Sequence, residues 1–281
     1  MKKIIILYHA DCSDGFGGAW AAWKKFGNKV SYIPVWHQEP PPKGLKNKII
    51  YMIDFTYPEK ITKKLIRDNK RVTSIDHHET AEKTTKLTFD YRFSLDNSGS
   101  ALAWKYFHPK KKIPLFLKNI EDMDLWKFKV SYTEEIFAYH NLFDFNFKLW
   151  DKFAADSENS LKRKKMIEIG RLILNYENRL VNKLVEENVE LVKFAGYKVL
   201  AVNSPNFHSQ IGSLLARKNP PFGIVWREKD GVWNISLRGV DKVHLGELAK
   251  RYGGGGHYNS AAFKIPRERP LPWKYLNENK K

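Results

Sequence analysis

A chain of 281 residues with 42% hydrophobic content is long enough for two domains with real cores, and it is not composed like a disordered chain. Lys+Arg 49 against Asp+Glu 31 leaves a formal net charge of +18, which favours anionic partners, nucleic acid first among them. One cysteine, Cys12, excludes an intrachain disulfide and a multi-cysteine zinc site, and the longest N-terminal apolar run, Ile4 to Tyr8, is too short for a signal-peptide core or a membrane span.

A cytoplasmic location with no membrane partner is therefore the default expectation. The charge has a plain reading as well. The lysines are spread along the whole length, and the chain is rich in Lys, Ile, Asn, Phe and Tyr together, as coding bias alone would make it.

In chain order, Ile4 to Tyr8 reads as a buried strand that leads into His9, Asp11 and Asp14. Gly15-Phe16-Gly17-Gly18 then opens a helix carrying Ala19, Trp20, Ala22 and Trp23. Val30 to Val35 is a second strand, followed by a turn at Pro40-Pro41-Pro42. Ile49 to Ile53 leads into Asp54, Glu59 to Asp68 reads as a polar-faced helix, and Val72 to Ile75 leads into Asp76-His77-His78. Strands alternating with helices imply a parallel sheet. Beyond Ser98 the pattern turns helical, with Ser98 and Ser100 as caps and Asp122-Met123-Asp124 near a helix end. Leu161 to Val192 carries Leu172, Tyr176, Leu180, Leu184 and Leu191 at helical spacing and reads as a connector. Tyr197 to Val202 is a strand and Ser209 to Lys218 a helix. Phe222 to Arg227 and Val232 to Leu237 flank Lys229-Asp230-Gly231, a hairpin signal. His244 to Tyr252 is a helix running into Gly253-Gly254-Gly255-Gly256-His257.

The expected fold is α/β: an N-terminal, mainly parallel five-stranded sheet with flanking helices, and a smaller C-terminal α+β domain across a cleft. The boundaries expected are 1–155, a helical linker over 156–195, and 196–281.

The carboxyl ends of the strands of an open parallel sheet line one crevice, where ligands bind. Three strands ending in Asp and His crowd anionic groups there, and divalent cations resolve the repulsion. Asp and His ligands without thiolates suit manganese, magnesium, cobalt or iron, with zinc as an alternative. Two metals about 3.5–4 Å apart can activate a water and stabilise a leaving oxygen in phosphoryl chemistry. Asp54 is the candidate to reach both. Cys12 reads as a small packing residue.

His9-Ala10-Asp11-Cys12-Ser13-Asp14-Gly15, Asp54, Asp76-His77-His78 and Asp122-Met123-Asp124 resemble the four ordered motifs of the DHH phosphoesterases. Gly253-Gly254-Gly255-Gly256-His257 with the Arg238 region resembles the signature of their associated C-terminal domain. The resemblance, which extends to oligoribonuclease-like and dinucleotide phosphodiesterases, implies the following roles. His9 and Asp54 bind one metal with Asp11 as the candidate third ligand; Asp14, Asp54, His77 and Asp122, or Asp124 in its place, bind the other. His78 faces the substrate phosphate and Asp76 orients His77. Arg238 and His257 grip a phosphate or nucleotide, and Gly254, Gly255 and Gly256 let backbone N–H groups approach it. The first motif departs from the commoner spacing, because both Cys12 and Ser13 separate Asp11 from Asp14.

The implied activity is hydrolysis of short RNA or DNA oligonucleotides, or of linear or cyclic dinucleotides, with two divalent ions, manganese before magnesium or cobalt. Alternatives are a phosphomonoesterase or pyrophosphatase acting on 3′-phosphoadenosine phosphate or pyrophosphate, and a non-catalytic nucleic-acid-binding protein. Phe207, His208 and Tyr258 are the stacking candidates, and the assembly expected is a monomer or homodimer.

Overall fold

The N-terminal strands alternate with helices, and their apolar residues point both ways. In the computed structural model, which describes residues 2–36 and 39–276, the elements begin with β1 (Ile4–His9), α1 (Ser13–Phe26), β2 (Ser31–Val35), β3 (Ile49–Ile53) and α2 (Glu59–Asp68). There follow β4 (Arg71–Asp76), a single turn α3 (Glu82–Thr85), β5 (Asp90–Phe93), α4 (Gly99–Phe107), α5 (Leu115–Asp124), α6 (Thr133–His140) and α7 (Phe147–Glu158). The sheet order is β2-β1-β3-β4-β5, and every pairing in it is parallel.

A parallel sheet is covered on both faces, so its central strands carry apolar residues on both. In β1, Ile6 joins the core formed with Trp20, Ile53, Trp104 and Phe116, while Ile5 and Leu7 join Ile50, Met52, Leu65 and Val72 on the opposite face. Register places the functional residues. Tyr8 pairs with Ile53, and Ile53 with Ile75. His9, Asp54 and Asp76 therefore lie one residue beyond a common row, at the carboxyl edge. β1 has β2 on one side and β3 on the other, which makes the β1/β3 boundary the topological switch point.

The long helix α8 (Ser160–Asn188) follows, and the chain divides into two units at Leu174 and Asn175, inside it. The apolar stripe named from sequence is only partly the buried one. Leu172 and Tyr176 are exposed, whereas Met166 packs in the first unit's core and Val181 and Val185 in the second's. Leu191 does not lie on the helix either, because α8 stops at Asn188 and β6 (Glu190–Phe194) begins two residues later.

The second unit continues with β7 (Tyr197–Asn203), α9 (His208–Lys218), β8 (Phe222–Lys229), β9 (Val232–Gly239), α10 (Leu245–Lys250), β10 (Gly255–Gly256), β11 (Ser260–Pro266) and β12 (Trp273–Tyr275). Its seven strands run β10-β11-β9-β8-β7-β6-β12, antiparallel except for the β7–β8 pair. The β8–β9 hairpin turns where expected, with both Asp230 and Gly231 at positive φ. Among the described residues no helix is long and apolar enough to cross a membrane.

Candidate metal centre

The three strand ends deliver His9, Asp54 and Asp76; Cys12 and His77 follow in the loops, Asp14 opens α1 and Asp124 closes α5. Asp54 follows β3 in the left-handed region (φ 63), which is uncommon for a residue other than glycine and turns its side chain at the sheet edge. Its Oδ1 lies 3.1 Å from His77 Nε2 and its Oδ2 3.4 Å from His9 Nδ1. The Cys12 thiol is 3.6 Å from the same Oδ2. Asp14 Oδ2 and Asp124 Oδ2 stand 3.7 and 3.5 Å from His77 Nε2. Two ligand-like groups result: His9, Cys12 and Asp54 in one, Asp14, His77 and Asp124 in the other. The two oxygens of Asp54 face one group each.

Asp14 is held by the start of α4. Its Oδ2 accepts from the Gly99 amide at 2.6 Å and its Oδ1 from the Ser100 amide at 3.0 Å, two of the donors that a helix N-terminus leaves unpaired. The approach needs glycine at position 99, where a Cβ would stand 2.7 Å from Asp54 Cβ and 2.9 Å from Asp14 Oδ2. Ser98 caps the helix as expected, accepting from Ala101 N, while Ser100 serves the site through its amide.

Asp14, Asp54 and His77 are each almost wholly buried. Burial first, then the carboxylates of Asp54 and Asp124, push Asp14 well above the usual carboxylate range. Burial acts on Asp54 in the same sense, but hydrogen bonds from His77 and His9 hold it well below that range. His77 rises to about 10 against its own burial, because Asp124, Asp54 and Asp14 surround it. The protonated His77 imidazole is thus a counter-charge that these three carboxylates share at close range. A divalent cation would replace that proton, and the oxygen and nitrogen donors fit manganese, magnesium or cobalt. The donor set fits the metal.

Asp76 reaches both histidines that follow it. Its Oδ1 accepts from the His78 ring Nδ1 at 2.8 Å and from the His77 and His78 amides at 2.8 and 3.1 Å. It therefore orients the His78 ring, holds the backbone at His77 and keeps a proton on His78 Nδ1. Its burial would raise its pKa, yet the His78 hydrogen bond draws it below the ordinary value.

Asp122, expected among the ligands, is engaged elsewhere. Its carboxylate accepts from Lys129 N at 2.8 Å, Val130 N at 3.0 Å and Thr133 Oγ1 at 2.7 Å. Asp124 takes its place at His77. Asp11 also stands apart: it is exposed, at φ 52, and lines a pocket of about 460 Å³ with Ser13, Phe137, His140, Phe143, Asp144 and Phe145. Cys12, read from sequence as packing, touches Asp54 instead. The signal that could have found it is its place between His9 and Asp14, in the loop after β1.

In the second unit, Arg238 lies on β9 opposite Ser260 of β11, and the His257 amide donates to Ser260 O at 2.7 Å. Arg238 and the His257 segment thus share one end of the sheet. The guanidinium donates to Ser209 Oγ at 2.8 Å and to Leu237 O at 2.9 Å, and burial lowers its pKa to about 10. Gly255 and Gly256 form β10 against β11, and Gly256, at φ 142, has Ser260 O only 2.3 Å from where a Cβ would be. The amide of Gly254 is already bonded to Ala249 O. Of the three stacking candidates, Phe207 packs at the start of α9 and the His208 ring bonds Ser204 O, while Tyr258 is exposed beside His244.

The chain thus pairs a parallel sheet whose carboxyl edge gathers Asp and His with a β unit that carries the glycine-histidine run. Residues 195–272 match the DHHA1 domain family. The chain is 32% identical over 283 residues to the uncharacterized protein R106 of Acanthamoeba polyphaga mimivirus, with 92% of this chain and 66% of that protein covered. It thus spans just under two thirds of that relative's length. It is 22% identical to oligoribonuclease NrnB of Bacillus subtilis, over 93% of this chain and 73% of that one. Among solved structures, an exopolyphosphatase-related protein from Bacteroides fragilis shares the fold at a TM-score of 0.52 and 17% identity, over 94% of this chain and 87% of that one. Residues 195–272 are thus a DHHA1 domain, and the chain as a whole is similar to DHH-family phosphoesterases.

Proposed function

We propose that this protein is a metal-dependent phosphodiesterase that hydrolyses short oligonucleotides or dinucleotides. The observation that carries the reading is the position of Asp54, whose two oxygens face His9 and His77 separately. His9 and Asp54 would hold one divalent cation, beside the Cys12 thiol that burial and the neighbouring carboxylates keep protonated, and Asp14, Asp54, His77 and Asp124 the other. Such ions, manganese foremost, lower the pKa of water and neutralise charge on a phosphoryl group.

The protein's own residues do the rest. The α4 amides fix Asp14 as an anion acceptor. Asp76 accepts from His78 Nδ1 and, against the ring's burial, draws its pKa upward, so that the doubly protonated imidazole would donate from Nε2 to the substrate phosphate. In the DHHA1 domain, Arg238 offers a second anion contact from a buried guanidinium already anchored by Ser209. The substrate class draws support from the curated relative NrnB, named an oligoribonuclease, and from the net charge of +18.

The test is hydrolysis of labelled dinucleotide, short RNA, long RNA and 3′-phosphoadenosine phosphate, with manganese and with EDTA. We expect diester cleavage of the shortest substrates that EDTA abolishes and that Asp54→Asn or His77→Ala reduces by roughly 100-fold or more. Variants that cleave dinucleotide at the wild-type rate would sink the reading, and faster turnover of the monoester would move the substrate class.

A further inference from the structure

Directly after Asp124 the chain reads Leu125-Trp126-Lys127-Phe128-Lys129, aromatics alternating with lysines. Large aromatic side chains are on average highly buried. Here Trp126 and Phe128 are 42% and 39% exposed, and Tyr132 beyond them is 50% exposed. The Trp126 and Phe128 rings meet edge to face, with centroids 4.8 Å apart at 75°. They form one surface.

The backbone is shaped to present that surface. Trp126, Phe128 and Tyr132 all take positive φ (54, 51 and 66), a region that bulky L-residues avoid unless their surroundings impose it. The surroundings do impose it. Trp126 N donates to Met123 O and Lys127 N to Asp122 O, while the Asp122 carboxylate takes the Lys129 and Val130 amides. The Lys127 ammonium reaches Asp96 O at 2.9 Å, which uses one of its three donors. A buried carboxylate thus pins the loop from below, and its rings face water.

The loop is also close to the chemistry. Trp126 is two residues from Asp124, at most about 7 Å of backbone, and Asp124 Oδ2 is 3.5 Å from His77 Nε2. Every base has a π-face, and single-strand binders combine aromatic platforms with cationic groups along the backbone. Resting on the phosphodiesterase reading above, we infer that Trp126 and Phe128 are a stacking platform for a base of a single-stranded oligonucleotide, with Lys127 and Lys129 against its phosphates.

The test is equilibrium binding, with manganese present, of a fluorescein-labelled 2′-O-methyl phosphorothioate triadenylate, which resists cleavage, and of its abasic counterpart. Trp126→Ala should weaken triadenylate binding by roughly 5- to 150-fold, Phe128→Ala should weaken it in the same direction, and Trp126→Phe should recover most of the affinity. The abasic probe, held by phosphate alone, should bind wild type and Trp126→Ala equally. The platform is overturned if wild type fails to bind triadenylate, if Trp126→Ala binds it as wild type does, or if the variant loses the abasic probe in equal measure. Thermal melts of each variant identify misfolding, and Phe128→Ala carries the test if Trp126→Ala does not fold. Stacking intact while unmodified triadenylate goes uncleaved with manganese would sink the phosphodiesterase reading and leave the platform standing.

Discussion

The Asp122 carboxylate accepts from two loop amides and the Thr133 hydroxyl, and Asp124 meets His77, although only Met123 separates the two residues. Residues two apart on a helix point about 200° apart, so they cannot share a task. Removing Asp122 leaves the buried Thr133 hydroxyl and two part-buried amides without their acceptor, and Asp122→Ala should cost about 3 kcal/mol of stability. Asp124→Asn removes one of three crowded negative charges, so its melting temperature should equal or exceed that of wild type. Its manganese-dependent hydrolysis should fall by roughly 100-fold. Thermal melts and single-turnover assays on both variants separate the roles, and a stable but inactive Asp122→Ala would reverse the assignment. This pair also marks how far sequence reaches into the site. His9, Asp54 and Asp76-His77-His78 were legible because each follows an apolar strand, and parallel strands deliver their ends to one edge. Which of Asp122 and Asp124 faces that edge depends on where α5 stops and on Thr133 in the next helix, and no local pattern records either. The Asp76–His78 pairing was equally hidden, since adjacent histidines are equivalent in sequence.

At the scale of elements, β1 to β4, β7 and the α9–β8–β9 region were readable from apolar runs and turn residues, whereas β5, β6, β10 to β12 and the connector were not. Leu172 and Tyr176 fit a 3.6-residue stripe, but α8 changes partners along its length, so its buried positions shift from Met166 to Val181 and Val185. Helix α6 shows a second feature without a local signal. It ends in His140, whose ring is almost completely buried against Phe116, Trp150 and Phe153 at centroid distances of 5.1, 4.7 and 5.6 Å. Burial lowers its pKa to about 4. The folded protein therefore keeps this imidazole neutral, while the unfolded chain binds a proton below about pH 6.5. Stability that is present above pH 6.5 is lost as the pH falls toward 4, amounting to about 2 kcal/mol between pH 7 and pH 5. Urea midpoints across that range measure it. His140→Phe should flatten the dependence by that amount, and an unchanged slope would show that His140 titrates normally.

For the whole molecule, the two units have separate cores, and the carboxylate cluster belongs to the first alone. Without a cation, Asp14, Asp54 and Asp124 repel one another, with the His77 imidazolium as their close counter-charge. A cation that binds the folded cluster, and not the unfolded chain, stabilises whatever must unfold to release it. At a free concentration about 100 times its dissociation constant, the gain is about 2.7 kcal/mol, near a hundredfold in an opening equilibrium. That gain should appear where the ligands are rooted. Manganese should slow hydrogen exchange at the amides of Ile6, Ile53 and Ile75 in β1, β3 and β4 by up to that factor. It should leave Ile224 and Leu237 in β8 and β9 unchanged, because no residue of the cluster comes from the second sheet. Asp54→Asn should remove the manganese-dependent protection while leaving exchange in the second unit as it was. Equal slowing in both units would mean that they unfold as one, and no slowing in the first would remove the cation from the site.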